Sequence, residues 1–141
     1  MYYVNRTSID ARLACVPDIA LALSELASDW RGTLLQGLAQ ERALHLAVEI
    51  VTDVGSSLID GFLMRDASSY EDIIDIIAGE SVVPADVAEP LRRLVSLRKP
   101  LVQDYAEWAR TEMHGLTPEL PALLNRFSDH VRDYLRSELG E

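Results

Sequence analysis

The chain has 141 residues, 48% of them hydrophobic, with a mean hydropathy of +0.03 and a formal net charge of −10. That length favours one domain, residues 1–141, with a real core, and no apolar stretch approaches the roughly 20 residues a bilayer span needs. A chain this acidic is repelled from phosphate backbones, so any nucleic-acid contact requires a local basic cluster.

The first helix is predicted over residues 8–27. Ile9, Leu13, Val16, Ala20, Leu23 and Ala27 recur at three and four, and Pro17 predicts a bend or a broken turn. The second and longest helix spans residues 33–63. Its middle is apolar on nearly every side, through Leu44, Leu46, Ala47, Val48, Ile50, Val51 and Val54. A helix of that kind must be buried on all sides, which in a small bundle assigns one face to the core and another to a partner subunit. A homodimer is therefore expected.

Residues 61–69 form a connection. Ser69 is the expected N-cap of a short helix over 70–78, with Glu71 and Asp72 in its first turn and Gly79 ending it. Pro84 opens the next helix, which carries Val87, Leu91, Leu94 and Val95 as far as Arg98. Pro100 predicts a kink at Lys99, after which helix resumes to about Arg110. Thr117-Pro118 opens the last helix, carrying Leu120, Leu123, Leu124, Phe127, Val131, Tyr134 and Leu135. The sum is an all-α, up-and-down four-helix bundle with a short extra helix.

The one basic cluster is Arg92, Arg93, Arg98 and Lys99, which reads as a solvated helix face or as a phosphate site. His45, Glu49 and Asp53 lie four apart on one strip of the long helix. His and Glu at that spacing can ligate a metal, but no further ligand stands out. The strip reads better as polar groups paired with another helix, with Asp53–Arg98 the expected contact. Ser56 and Ser57 beside Gly55 read as a packing site. No Gly-rich phosphate loop, paired-cysteine zinc pattern or nucleophile elbow is present, so no cofactor and no metal are expected. Cys15 is alone and the N-terminus carries no secretion pattern, which together suggest a cytoplasmic protein.

The segment Leu97-Arg98-Lys99-Pro100-Leu101-Val102-Gln103-Asp104-Tyr105 resembles the motif of the HepT-like branch of the HEPN superfamily: Arg, a few residues, His, one residue, Tyr. Glu41-Arg42-Ala43-Leu44-His45-Leu46 with downstream Asp53 is similar to the second helix of that family. Tyr70-Glu71-Asp72-Ile73-Ile74, then Gly79 and Val82-Val83, is similar to its short helix and turn. The ordered set covers about residues 35–108. The resemblance implies a dimeric all-α bundle that acts as the toxin of a toxin–antitoxin pair, a metal-independent ribonuclease. Its partner would be a small MntA-like nucleotidyltransferase that silences the toxin by transferring AMP to the motif tyrosine, here Tyr105.

On that resemblance the catalytic positions are Arg98, Gln103 and Tyr105, with Arg93, Arg98 and Lys99 on the RNA phosphates and His45, Glu49 and Asp53 as supporting polar groups. The chain departs from the motif where Gln103 replaces His, as in a YutE-like subgroup. Gln does not titrate and cannot be a general base, whereas Arg98 can still grip a phosphate through its fork. The alternative is a non-catalytic dimeric bundle binding a nucleotide or a protein. In the corresponding structural assignment Arg98 is a buried ion-pair partner, Gln103 bonds backbone, and Tyr105 belongs to the core.

Overall fold

The computed structural model describes residues 2–141. Among these residues seven α-helices follow one another: α1 (Arg6–Leu13), α2 (Val16–Ser28), α3 (Leu34–Gly61), α4 (Tyr70–Gly79), α5 (Ala85–Val95), α6 (Arg98–Val102) and α7 (Leu120–Leu139). One 3-10 turn, Tyr105–Glu107, follows α6. No strand occurs among the described residues, and no helix there is long and apolar enough to cross a membrane.

Four of these helices close a ring. The α2 helix packs on α3, α3 on α5, α5 on α7, and α7 back on α2, with α1, α4 and α6 laid against the outside of α3. The ring is sealed by the stripes that the spacing predicts. Leu120, Leu124, Phe127, Val131 and Leu135 of α7 are fully buried, as are Val87, Leu91 and Leu94 of α5. Pro17 has split the first predicted helix in two, and it sits in the first turn of α2, where its missing N–H is not needed.

Capping follows the residue types. Asn5, Thr33 and Ser69 each accept a hydrogen bond from the backbone N–H three residues on, opening α1, α3 and α4. At the end of α4, Gly79 is not the terminator. The left-handed residue is Ser81 (φ 62°), where Ser81 N–H donates to Ala78 O and Val82 N–H to Ile77 O, the pair of hydrogen bonds that closes a helix at its second residue past the end.

The α3 helix accounts for its composition within one chain. Leu44, Ala47, Val48, Val51, Val54 and Leu58 are all fully buried under α1, α2, α4, α5 and α6. The premise that its all-round apolar character calls for a partner subunit does not hold, because neighbouring helices do the covering. Gly55 allows the closest of these approaches: a Cβ there would stand 2.4 Å from Ile73 of α4.

Two local expectations fail after Val95. The break comes at Ser96–Leu97 rather than at Lys99, so that Pro100 falls in the first turn of α6, where no N–H is required. Helix then does not resume to Arg110. Residues 108–119 are turns held by distant partners. Gln40 of α3, fully buried, donates to Glu112 O (3.0 Å) and accepts from His114 N–H (2.9 Å) and the Thr117 hydroxyl (2.7 Å). Gly37 lets the Arg110 backbone lie directly on α3, where a Cβ would be 2.0 Å from Arg110 O. The His114 ring stacks on Trp108 at 5.7 Å and its Nδ1 accepts the Leu116 N–H, while burial pushes its pKa down and favours the neutral ring. Backbone groups satisfied this way have no call for a helix.

Replacing Gln40 with Leu keeps the volume but leaves the buried Thr117 hydroxyl and the part-buried His114 N–H and Glu112 carbonyl without their partner. A buried group left unpaired costs on the order of 1–3 kcal/mol and the part-buried ones less, so Gln40→Leu is expected to lower urea-unfolding stability by about 2 kcal/mol or more. A loss below about 1 kcal/mol would show that this amide does not hold the segment.

Candidate functional site

The apolar covering of α3 leaves one strip less covered. Residues three and four apart share a helix face, and Leu38, Arg42, His45, Glu49 and Asp53 follow that spacing. Short α6 lies beside this strip. Between them is a shallow recess lined by Leu38, Glu41, Arg42, His45 and Leu101.

Glu49 is the junction. Its Oε1 lies 3.4 Å from Arg98 Nε and 3.4 Å from His45 Nε2. These are close charge contacts rather than formed hydrogen bonds, since Glu49 Oε1 and Arg98 Nε are both buried without a hydrogen-bond partner. The guanidinium of Arg98 also lies over the Tyr70 ring, 4.2 Å from its centroid, a cation–π contact. Arg98 is thus clamped between a carboxylate of α3 and an aromatic of α4. Its side chain makes no hydrogen bond within the protein, so its fork keeps its donors.

The expected Asp53–Arg98 pair is not formed. Arg98 reaches Glu49, one turn earlier on the same strip, and Asp53 pairs with Arg12 of α1 at 3.5 Å. On the other side of His45, Nδ1 lies 3.4 Å from Arg42 NH1. Among the described residues no three His, Cys, Asp or Glu side chains converge as a metal-holding group.

Tyr70 is the member of this group that sequence reasoning passed over as a site residue, although its place immediately after an N-cap was legible. The start of α4 fixes it. Ser69 Oγ accepts Asp72 N–H at 3.0 Å, Asp72 accepts Ser68 N–H at 2.9 Å, and Arg65 grips both Asp72 oxygens at 2.7 Å. The Arg65 hydrogen bonds, then the Ser68 N–H, hold the Asp72 carboxyl far below the usual carboxylate range.

The basic cluster is dispersed and neutralised. Arg92 pairs with Asp75, Arg93 with Glu89 and Glu119, and Lys99 with Asp104. Arg93 faces α7, away from the recess-side partners of Arg98. Among the described residues every Lys and Arg has a carboxylate within 4.0 Å except Arg42 and Arg132. Arg42 is therefore the unneutralised cation at the recess.

Gln103 is exposed and closes α6 through its backbone N–H on Lys99 O. Tyr105 is 59% exposed and is no core residue. The carbonyl of Tyr105 accepts from Arg110, whose guanidinium is also paired with Glu41 of α3. The motif thus splits in two. Arg98 turns inward against α3 and α4, while Gln103 and Tyr105 stand open on the segment anchored by Gln40 and Glu41.

Residues 19–126 match the family described as "Ribonuclease HepT-like". The chain is 38% identical over 140 residues to a Bacillus subtilis (strain 168) protein named "Putative RNase YutE", covering 99% of this chain and 96% of that protein. The solved structure of YutE from Bacillus subtilis, described as a cytosolic protein of unknown function, is similar with a TM-score of 0.91 and 35% identity. That match covers 100% of this chain and 97% of the other.

The folded chain holds the Asp72 carboxylate more tightly than the unfolded chain does, so its stabilisation is complete at neutral pH and is lost as pH falls below about 4. Asp72→Asn is therefore expected to be less stable than the parent at neutral pH, with the gap shrinking below about pH 4. Thermal unfolding across that range checks this; a gap independent of pH would show that the charge on Asp72 contributes nothing.

Proposed function

The chain belongs to the ribonuclease HepT-like family, and from that premise we propose that it is an RNA-directed toxin component, held in check by a nucleotidyltransferase antitoxin. The observation that carries this reading is the clamped Arg98. A guanidinium held by Glu49 and Tyr70 that makes no hydrogen bond within the protein supports a role in gripping a phosphodiester as well as in holding the fold. A fork of that kind grips two phosphate oxygens at once.

Tyr105 fits the regulatory role. A modifying enzyme needs a reachable hydroxyl, and Tyr105 is exposed at the end of a segment pinned to α3. Transfer of AMP there would add a bulky phosphate-linked group and negative charge to the exposed half of the motif. The proposed setting is cytoplasmic, in line with the cytosolic description of YutE. The proposed assembly is a homodimer that brings two motifs together. The exposed Leu34, Leu35 and Leu38 at the start of α3 supply apolar surface next to the recess.

Two observations favour a second reading, in which the chain is a non-catalytic bundle that binds a nucleotide or a protein. Gln103 cannot carry a proton, and the cations at positions 92, 93 and 99 are already matched with carboxylates.

Inducible expression in a bacterial host separates the two. Growth arrest with RNA loss is expected from the parent chain and is expected to disappear in Arg98→Ala. Silence from the parent but arrest from Gln103→His would mean a scaffold whose chemistry lapsed at one position, and silence from all three supports the binding module. With a cognate nucleotidyltransferase and ATP, Tyr105→Phe is expected to remain folded and to gain no AMP mass. Modification of that variant elsewhere would remove Tyr105 from the scheme.

A further inference from the structure

If this chain cleaves RNA without a histidine at position 103, another group must accept a proton. Histidine is the side chain whose ordinary charge change falls near neutral pH, and the chain has three. His114 is committed to the fold, stacked on Trp108 and accepting the Leu116 N–H. His130 lies on α7 beside Glu80 and Ser81, away from the motif. His45 remains, in the wall of the recess between α3 and α6 and 29% exposed at its side chain.

Its surroundings give its two ring nitrogens different tasks. Nε2 faces Glu49 Oε1 at 3.4 Å, and Nδ1 faces Arg42 NH1 at 3.4 Å. A carboxylate beside one nitrogen keeps the proton there and stabilises the ring when it becomes charged, leaving the other nitrogen as the base. The cation at Nδ1 is exposed Arg42, which has no carboxylate partner among the described residues and is free to turn to an incoming phosphate. Glu49 Oε1 stands equally close to Arg98 Nε. One carboxylate thus holds both His45 and Arg98, which makes the two side chains neighbours, with His45 Nδ1 turned to the Arg42 side of the ring.

We propose that His45 is the general base of RNA cleavage in this chain, acting on a single-stranded RNA whose phosphate is held by Arg98 and Arg42. The inference rests on the ribonuclease reading above. His45 Nδ1 takes the proton of the ribose 2′-hydroxyl as the 2′-oxygen forms its bond to phosphorus. The bond from phosphorus to the 5′-oxygen breaks, and the leaving oxygen takes a proton from water. The products are a 2′,3′-cyclic phosphate and a 5′-hydroxyl, and the imidazolium returns its proton to solvent. Glu49 transfers no proton; it orients the ring and holds Arg98. Gln103 transfers no proton in this scheme.

The test uses the full chain and a synthetic single-stranded RNA of mixed sequence, with chelator present. His45→Ala is expected to lose about 100-fold or more in kcat, with KM nearly unchanged and thermal stability retained. Free imidazole in the buffer is expected to restore part of that kcat, and to restore nothing in Arg98→Ala. Cleavage by His45→Ala at the parent rate overturns the assignment while leaving the ribonuclease reading intact. So does a loss that imidazole cannot repair, which is the mark of a structural role. Absence of cleavage by the parent chain overturns the ribonuclease reading and this inference with it.

Discussion

A helix that is apolar nearly all the way round has to be covered nearly all the way round, and the covering of α3 organises this molecule. Leu44, Val48, Val51, Val54 and Leu58 are removed from water by helices on several sides at once. At about 25 cal/mol per Å2 of apolar surface, that burial is the main force holding the outer helices on the ring. The same constraint selects where polar groups can stand. The strip left less covered is the one carrying Arg42, His45, Glu49 and Asp53, and α6 with Arg98 lies beside it. Core and candidate site are two faces of one element.

Charge acts at a shorter range. With a net charge of −10, the long-range field opposes an RNA backbone, and most cations sit against carboxylates. What a phosphate would meet is set locally by which cations are free to turn. Arg98 is held by one buried carboxylate oxygen and one aromatic face, neither of which uses up its fork. Arg42 is matched by no carboxylate among the described residues. A count of Arg and Lys along the chain points instead to residues 92–99, where three of the four cations are paired at the surface. Such exposed pairs contribute little to stability, but they remove positive charge from the surface potential.

The segment after α6 shows how backbone satisfaction can outweigh a helical pattern. Its hydrogen-bonding groups are met by Gln40, about seventy residues earlier in the chain, and its approach to α3 depends on Gly37 lacking a side chain. This anchoring fixes the place of Tyr105 and Arg110 without helix, so Tyr105 stays open to solvent even though the preceding Arg98 is turned inward. An extended helix through Arg110 would have carried both residues on one rigid rod.

The sequence by itself determined what depends on neighbours within a turn or two. The apolar stripes of α5 and α7, the cap at Ser69, the broken turn at Pro17 and the ordered motifs of the family were all legible, because spacing and local hydrogen bonding decide them. The bundle class follows from those stripes. Only the tertiary structure decided which partner each polar group meets. Glu49 and Asp53 are one turn apart on the same strip, and the choice of Arg98 for the first and Arg12 for the second depends on how α1 and α6 dock. Tyr70 came under Arg98 for the same reason, and Ser81 rather than Gly79 took the left-handed turn because the chain leaving α4 had to reach Val82 and Val83 in the core. Contacts between residues far apart in sequence are fixed by packing, and a periodic pattern carries no record of them.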